Sequence, residues 1–167
     1  LTGTTSNWVS PGGVTTGFTT TTIPIVTINL TGNGNPINNN AVATSTSNST
    51  NFGTASTKTF IITNTGTQLM SVGVPIITGL NASQFSVTVI PSRTIAPSGT
   101  SSFVVAFTPT SSGTSSAVIN ITNNDCSKPN FNFQIEASTP IASALDFNGV
   151  NNFVNIFNKV SYEHFIV

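Results

Sequence analysis

The chain has 167 residues and no net charge, and only 5% of its residues are charged, against about 25% in an average soluble domain. Four Lys and Arg cannot form the basic surface that nucleic acid requires, and no apolar run approaches the roughly 20 residues of a membrane-spanning helix. Ser, Thr and Asn supply 21, 29 and 21 residues, but a hydrophobic share of 37%, including 12 Phe, argues against a disordered chain.

The first segment, residues 1–23, is rich in Thr and Gly, and we interpret it as a linker or the end of a preceding domain. Its single Trp, Trp8, is interpreted as a packed anchor in preference to a sugar-stacking side chain. The chain begins at Leu1 without a basic signal-peptide region, and we expect it to be a mature piece or a fragment.

From residue 24 onward the sequence has the pattern of short β-strands separated by turn residues. Alternating apolar and polar residues, bounded by Gly, Pro, Asn and Asp, mark each strand. The polar stretch 35–50 is predicted to be a loop. The predicted strands are residues 25–30, 57–64, 69–74, 85–90, 102–108, 115–122 and 131–137.

The alternation assigns one face of each strand to the core. In the last strand, for example, Phe131, Phe133 and Ile135 share a face, and Asn132 and Gln134 lie opposite. The equivalent inward residues of the other strands are Phe60 and Ile62, Phe85, Val87 and Val89, Phe103, Val105 and Phe107, and Ala117, Ile119 and Ile121. About seven such strands predict an all-β, antiparallel β-sandwich.

Side chains with reactive or metal-binding potential are few and scattered. The one cysteine, Cys126, follows Asp125, but the single histidine, His164, is far away in sequence. An Asx-type turn at Asn124 and Asp125 with an inert thiol is therefore favoured over a nucleophile. Asp146 with Asn148 and Asn151 suggests oxygen ligands for calcium, but turn residues are the favoured interpretation.

Other polar residues are also interpreted as structural. Lys58 and Arg93 are predicted to be solvated surface cations or residues that discourage strand-edge pairing. The sequence contains no Ser-His-Asp set, phosphate-binding loop or paired carboxylates. We therefore predict no catalytic, cofactor-binding or metal-binding residues and no cofactor. Four Asn-X-Ser/Thr patterns, at Asn29, Asn48, Asn81 and Asn120, are expected by chance in a chain this rich in Asn and Thr and are predicted to be unmodified.

An ordered set of short motifs gives the chain a family resemblance over residues 24–139. The set comprises Leu-Thr-Gly-Asn-Gly at 30–34, Asn-Phe-Gly at 51–53, Thr-Phe-Ile-Ile-Thr-Asn-Thr-Gly at 59–66, Gly-Leu-Asn-Ala-Ser-Gln-Phe-Ser-Val at 79–87, Ile-Ala-Pro-Ser-Gly at 95–99, Phe-Thr-Pro at 107–109, Gly113, and Asn-Asn-Asp-Cys at 123–126. In this order they resemble the choice-of-anchor D repeat, a bacterial relative of the immunoglobulin-like domains of the major sperm protein and hydin group. The resemblance implies an immunoglobulin-like sandwich with no enzyme activity and no invariant ligand site.

A second resemblance concerns residues 140–167. The run Ala-Leu-Asp-Phe-Asn-Gly-Val-Asn-Asn-Phe-Val at 144–154 resembles the opening strands of a laminin G-like, concanavalin-type domain. Only the truncated start of that domain is present, so its glycan and calcium functions are not carried over. Such domains follow these repeats in large secreted proteins of Bacteroidetes-type bacteria.

Together, the two resemblances imply a structural spacer or adhesion module of a secreted or surface-anchored bacterial protein. The expected partners are neighbouring domains of a longer chain and a glycan or protein at the cell surface, with no nucleic acid and no membrane span. The alternative is a supporting module of a glycan-binding, lectin-like surface protein.

Overall fold

A computed structural model describes residues 23–139 of the chain, and within them it contains ten strands and one turn of 3-10 helix, Ala82–Gln84. The predicted linker 1–23, apart from Ile23, and the predicted laminin G-like start at 140–167 lie outside the described residues. The strands are β1 Ile28–Gly32, β2 Asn35–Ile37, β3 Thr57–Asn64, β4 Met70–Ser71, β5 Ile76–Thr78, β6 Phe85–Val89, β7 Thr94–Ile95, β8 Thr100–Phe107, β9 Gly113–Thr122 and β10 Asn130–Thr139.

The strands form two main antiparallel sheets. One sheet has the order β2-β1-β3-β8-β6, and the other has the order β10-β9-β5; β4 and β7 form a separate two-stranded ladder. Without the short β2, the first sheet has the A-B-E-D order and the second the C-F-G order of a constant-type immunoglobulin domain. The prediction of an immunoglobulin-like antiparallel sandwich of about seven strands is therefore confirmed.

Strand alternation determines the core, as the sequence predicts. In β10 the residues from Phe131 to Ala137 alternate strictly between buried and half-buried, and β3, β8 and β9 show the same period of two. The inward faces of both sheets join in one hydrophobic cluster. Because each sheet has one apolar face, only face-to-face packing removes both faces from water.

Phenylalanine rings connect the two sheets at the centre of the core. Phe60 of β3 stacks on its cross-strand neighbour Phe103, with ring centroids 5.2 Å apart, and meets Phe133 of the other sheet at 5.4 Å. All three side chains are fully buried. Aromatic pairs at such distances add about 0.5–1.5 kcal/mol beyond the area that they bury.

The sequence of the turn between β1 and β2 accounts for its conformation. Asn33 and Gly34 both have positive φ, 49° and 76°, and they connect two antiparallel strands through a two-residue loop. This is the conformation of a type I′ hairpin turn, for which Asn-Gly is the preferred sequence.

The polar stretch 35–50 was predicted to be a loop, but part of it pairs with neighbouring strands. It contains β2, and residues 38–56, here called the strap, run parallel to β10 along its outer edge. Backbone hydrogen bonds join Asn40 N–H to Asn132 O at 2.7 Å, Gln134 N–H to Ala41 O at 2.8 Å, and Phe52 N–H to Glu136 O at 2.7 Å. The strap therefore covers an edge of β10 that would otherwise expose unpaired peptide groups.

Two strand predictions need correction. The strand expected at 69–74 is only the two residues of β4, and the strand β5, which follows Pro75 and completes the second sheet, was not predicted. In β6, the inward face predicted for Phe85, Val87 and Val89 holds only for Phe85 and the half-buried Val87. A bulge between Val87 and Val89 shifts the register, so Val89 pairs with the outward-facing Val104 and is exposed.

The two ends of the sandwich, here called poles, are distinct. At the amino pole, Thr67 N–H donates to Ile25 O at 2.7 Å and Ile28 N–H to Asp125 Oδ2 at 3.1 Å, so β1 begins beside the turns 64–69 and 123–129. At the carboxyl pole, Gly113 N–H donates to Thr139 Oγ1 at 3.0 Å. β10 connects the poles, and its 10 residues at about 3.3 Å each span roughly 30 Å.

Replacing Phe133 with Ala should lower the free energy of unfolding by about 3–5 kcal/mol, because it removes a ring that contacts Phe60 across the core. Chemical denaturation monitored by circular dichroism measures this loss. The control is Gln134→Ala, on the half-buried opposite face of the same strand, where the change should stay below about 0.5 kcal/mol. Equal losses in the two variants would contradict the register of β10.

Candidate functional site

A buried carboxylate organises the amino pole. The side chain of Asp125 is 2% exposed. Its Oδ2 accepts the Ile28 N–H at 3.1 Å, and its Oδ1 accepts the Ser127 N–H at 2.8 Å and the Ser127 hydroxyl at 2.6 Å. These bonds hold the start of β1 against the turn between β9 and β10.

Lys128 binds the carbonyl group of the same residue, Ile28. Its Nζ donates to Ile28 O at 3.0 Å, so Asp125 and Lys128 together bind both the N–H and the C=O of Ile28. Only five charged side chains belong to the described residues, and two of them are engaged at this one residue. We call Asp125, Lys128 and Ile28 the β1 clamp.

The environment of Asp125 favours its ionised form. Burial by itself would raise the pKa of this carboxyl, but the bonds from the Ser127 hydroxyl, the Ile28 N–H and the Ser127 N–H outweigh it, and the Lys128 ammonium adds a smaller attraction. The pKa of Asp125 is therefore lowered from its ordinary value. The arrangement stabilises the fold and leaves no free carboxylate oxygen directed at a substrate.

The predicted Asx-type turn is present, with a different pair of residues. Asn123 Oδ1 accepts the Asp125 N–H at 2.8 Å, and Asp125 Oδ1 accepts the N–H two residues on. Cys126 is exposed. The structure places Asp125 beside Cys126 but commits its carboxylate to backbone and hydroxyl donors. His164 lies outside the described residues.

A second buried polar residue, Asn64, organises the turn after β3, and this role was not predicted from the sequence. It is fully buried, and its side-chain amide donates to Gln68 O at 2.7 Å and Ile95 O at 3.0 Å while its Oδ1 accepts the Gly66 N–H at 3.0 Å. The signal was present in the sequence, because Asn64 continues the inward face of Phe60 and Ile62. A polar residue at such a position must be hydrogen-bonded.

The turn beside Asn64 leaves no space for a side chain at Gly66. A Cβ at this position would overlap the backbone of residues 25–27, which crosses directly above it. The Asn-Thr-Gly sequence therefore ends β3 and also makes room for the incoming chain.

The asparagine side chains of the four Asn-X-Ser/Thr patterns form hydrogen bonds within the fold. Each amide group takes part in at least one hydrogen bond within the sandwich: Asn29 with Thr65 Oγ1, Asn48 with Thr50, Asn81 with the Ser116 N–H, and Asn120 with Thr78 Oγ1. Their prediction as unmodified residues stays a prediction.

An open groove of about 360 Å³ lies at the amino pole, and it is lined by Ser71, Val72, Gly73, Arg93, Thr122 and Asn123. Its polar groups are hydroxyls, an amide and the guanidinium of the chain's one arginine. No lining residue is Asp, Glu, His or Cys, so the groove offers hydrogen bonds but no general base.

Among residues 23–139 no group of three His, Cys, Asp or Glu side chains could hold a metal ion. The calcium candidates Asp146, Asn148 and Asn151, and likewise Trp8, lie outside the described residues. Lys58 is half-buried at the start of β3, and Arg93 is exposed beside the groove. No helix within the described range is long and apolar enough to span a bilayer.

No protein-family profile and no curated protein matches the chain. Among solved structures, it is similar to a protein of unknown function from Porphyromonas gingivalis W83, with a TM-score of 0.50 and 15% identity over 68% of this chain and 47% of that one. It spans about half of that protein's length. At 15% identity the similarity concerns the fold alone.

Two further solved structures are similar over part or most of the chain. The Vibrio cholerae VesB protease gives a TM-score of 0.45 and 14% identity, covering 69% of this chain and 32% of that one. The ASH/PapD-like domain 7 of human CEP192 gives 0.42 and 14%, covering 84% of this chain and 98% of that domain. The immunoglobulin-like assignment rests on the strand order of the chain itself.

Replacing Asp125 with Asn should lower the free energy of unfolding at pH 7 by about 1–3 kcal/mol, because an NH2 group then faces a backbone donor. The wild-type carboxylate has a lowered pKa, so its contribution is complete above about pH 4 and is lost as the pH falls through that lowered pKa. The difference between the two proteins should therefore shrink in acid. Urea unfolding from pH 7 to pH 2 measures it.

The matched control is Cys126→Ser in the same turn, where the exposed thiol should make no measurable contribution. A constant difference between wild type and Asp125→Asn across the whole pH range would contradict the role given to the ionised carboxylate.

Proposed function

We propose that the chain contains a non-catalytic spacer or adhesion module of a secreted or surface-anchored bacterial protein, of the choice-of-anchor D type, followed by the start of a laminin G-like domain. The observation that carries the proposal is that the first and last described residues of the sandwich lie at opposite poles. The described residues begin at the amino pole, beside the β1 clamp, and end with Thr139 at the carboxyl pole. A module with this path adds its full length of roughly 30 Å to a string of domains.

The β1 clamp suits such a role, because it lies where tension from the preceding residues enters the fold. A pull on residues 23–27 reaches Ile28, whose two peptide groups are bound to Asp125 and Lys128. Force therefore passes into the turn between β9 and β10 before β1 can peel from β3.

The strap supports the same interpretation. It runs parallel to β10, so tension between residues 25 and 139 draws the two segments in opposite directions along a common axis. Their hydrogen bonds, including Glu136 N–H to Thr50 O at 2.9 Å and Ser138 N–H to Gly53 O at 2.8 Å, are then loaded together. Bonds loaded together resist more force than bonds opened one at a time.

The absence of catalysis is part of the proposal. The groove at the amino pole has no acid or base, and Asp125 is already satisfied by its own fold. A neutral surface rich in Ser, Thr and Asn suits an exported module that makes weak contacts with its surroundings.

A single-molecule pulling experiment tests the mechanical role. Handles at cysteines introduced for Ile25 and Thr139, in a Cys126→Ser background, load the strap and β10 in shear. Handles at Ser112 and Thr139 instead open the β9–β10 hairpin from one end, since both residues lie at the carboxyl pole. We expect a several-fold higher unfolding force in the first geometry; comparable forces would contradict a tension-bearing spacer.

The second candidate, a supporting module of a glycan-binding protein, is favoured by the groove at the amino pole. Hydroxyls of Ser71 and Thr122 and the guanidinium of Arg93 line it, and such groups form hydrogen bonds to sugars. A glycan array probed with the 167-residue chain and with an Arg93→Ala variant separates the two roles. Binding that disappears in the variant would favour the glycan role, and no binding to any glycan would leave the spacer role alone.

A further inference from the structure

Two exposed apolar residues are close neighbours at the amino pole. The Ile25 carbonyl accepts the Thr67 N–H at 2.7 Å and the Gln68 N–H at 3.0 Å, and Leu69 is the next residue along the chain. Ile25 is 50% exposed and Leu69 is 55% exposed. We call Ile25 and Leu69 the pole patch.

Hydrogen bonds hold the backbone on both sides of the pole patch. The Ile25 N–H donates to Thr67 Oγ1 at 3.1 Å, and the Asn124 side-chain amide donates to Leu69 O at 3.3 Å. The backbone of residues 25–27 also lies so close to Gly66 that a Cβ there would overlap it. A segment that covers the pole patch therefore meets a surface that is already ordered, which lowers the entropic cost of the contact.

The surroundings of the pole patch offer no free charge. The turn 64–69 contains no charged residue. In the neighbouring turn, Asp125 is buried and the Lys128 ammonium is bound to Ile28 O. An uncharged segment with apolar side chains therefore suits this surface better than a charged one.

Residues 1–22, which lie outside the described residues, have the required chemistry. They contain no Asp, Glu, Lys, Arg or His, and their large apolar side chains are Trp8, Val9, Val14 and Phe18. Trp8 is the chain's one tryptophan, and a tryptophan has about 150–250 Å² to gain by burial. The 15 residues from Trp8 to Ile23 would reach roughly 25 Å even at half of their full extension, which is ample for a return to the pole.

The covalent connection favours residues 1–22 over other occupants. They join the described residues at Ile23, two positions before Ile25. A tethered segment has an effective concentration in the millimolar range, so it occupies a surface that a separate molecule at micromolar concentration would leave free. Residues 140–167 follow Thr139 at the opposite pole, roughly 30 Å away along β10.

We propose that residues 1–22 fold back on the amino pole and that Trp8 packs on the pole patch. This contact gives the packed anchor that Trp8 is predicted to be a defined surface. It also fixes the direction in which residues 1–22 approach β1. The proposal goes beyond the spacer role and holds whether or not the module carries tension.

Fluorescence of the 167-residue chain tests the proposal, because selective excitation reports on Trp8 alone. Compared with the urea-unfolded chain, native Trp8 should emit at shorter wavelength and be quenched several-fold less by acrylamide. Leu69→Lys should remove both differences, and so should the second variant, Ile25→Lys. The matched control is Leu80→Lys, which adds the same charge at a side chain 96% exposed and far from the pole patch, and it should change neither. Thermal melts confirm that each variant is folded.

Four results would overturn the proposal. Trp8 could be quenched as readily in the native chain as in urea. It could stay protected in either folded pole-patch variant, which would place it on another surface. Leu80→Lys could expose it equally, which would indicate a general effect of charge. Its protection could also rise with protein concentration, which would indicate contact between two copies.

A nitroxide label measures the proximity of Trp8 to the amino pole directly, because nitroxides quench tryptophan on contact. The label is placed on a cysteine introduced for the exposed Gln68, in a Cys126→Ser background. It should quench Trp8 several-fold more than the same label on a cysteine introduced for the exposed Ser112 at the carboxyl pole. Equal quenching from the two positions would contradict docking at the amino pole.

Discussion

The contact between Phe60 and Phe133 across the two sheets is the interaction on which the rest of the structure depends. Each ring is fully buried, and Phe60 also stacks on Phe103. With almost no charged side chains available, burial of such apolar groups between the sheets is the main force that holds the sandwich together. The strap, the hairpins and the poles are positioned by strands that this core fixes.

Polar groups then decide how the ends of the sandwich are closed. At the amino pole Asn64 ties the end of β3 to two turns, and Asp125 with Lys128 binds Ile28. Every buried side-chain nitrogen or oxygen among the described residues has a hydrogen-bond partner, so the few polar residues inside the sandwich add order to the pole without an unsatisfied group. The bonds from Asp125 and Lys128 join the start of β1 to the turn that precedes β10.

Period-two alternation was sufficient to predict the long strands, because Phe133 or Ile119 on the wrong face would expose a large apolar side chain. The alternation did not predict the segments whose extended structure depends on pairing with a neighbouring strand. β5 is three residues long and the strap has no alternation, so both are defined by the neighbours to which they bond. The inward position of Asn64 could have been read from the sequence. The clamp on Ile28 could not, since Asp125 is 97 residues away along the chain.

The central claim is that the chain enters and leaves the module at opposite poles. Double electron–electron resonance tests it most directly, with spin labels on cysteines introduced at Ile25 and Ser138 in a Cys126→Ser background. The length of β10 predicts a distance distribution centred at roughly 30 Å. A distribution centred below about 15 Å would place residues 25 and 138 at one pole. It would contradict the spacer account, because β10 could not then connect the two poles.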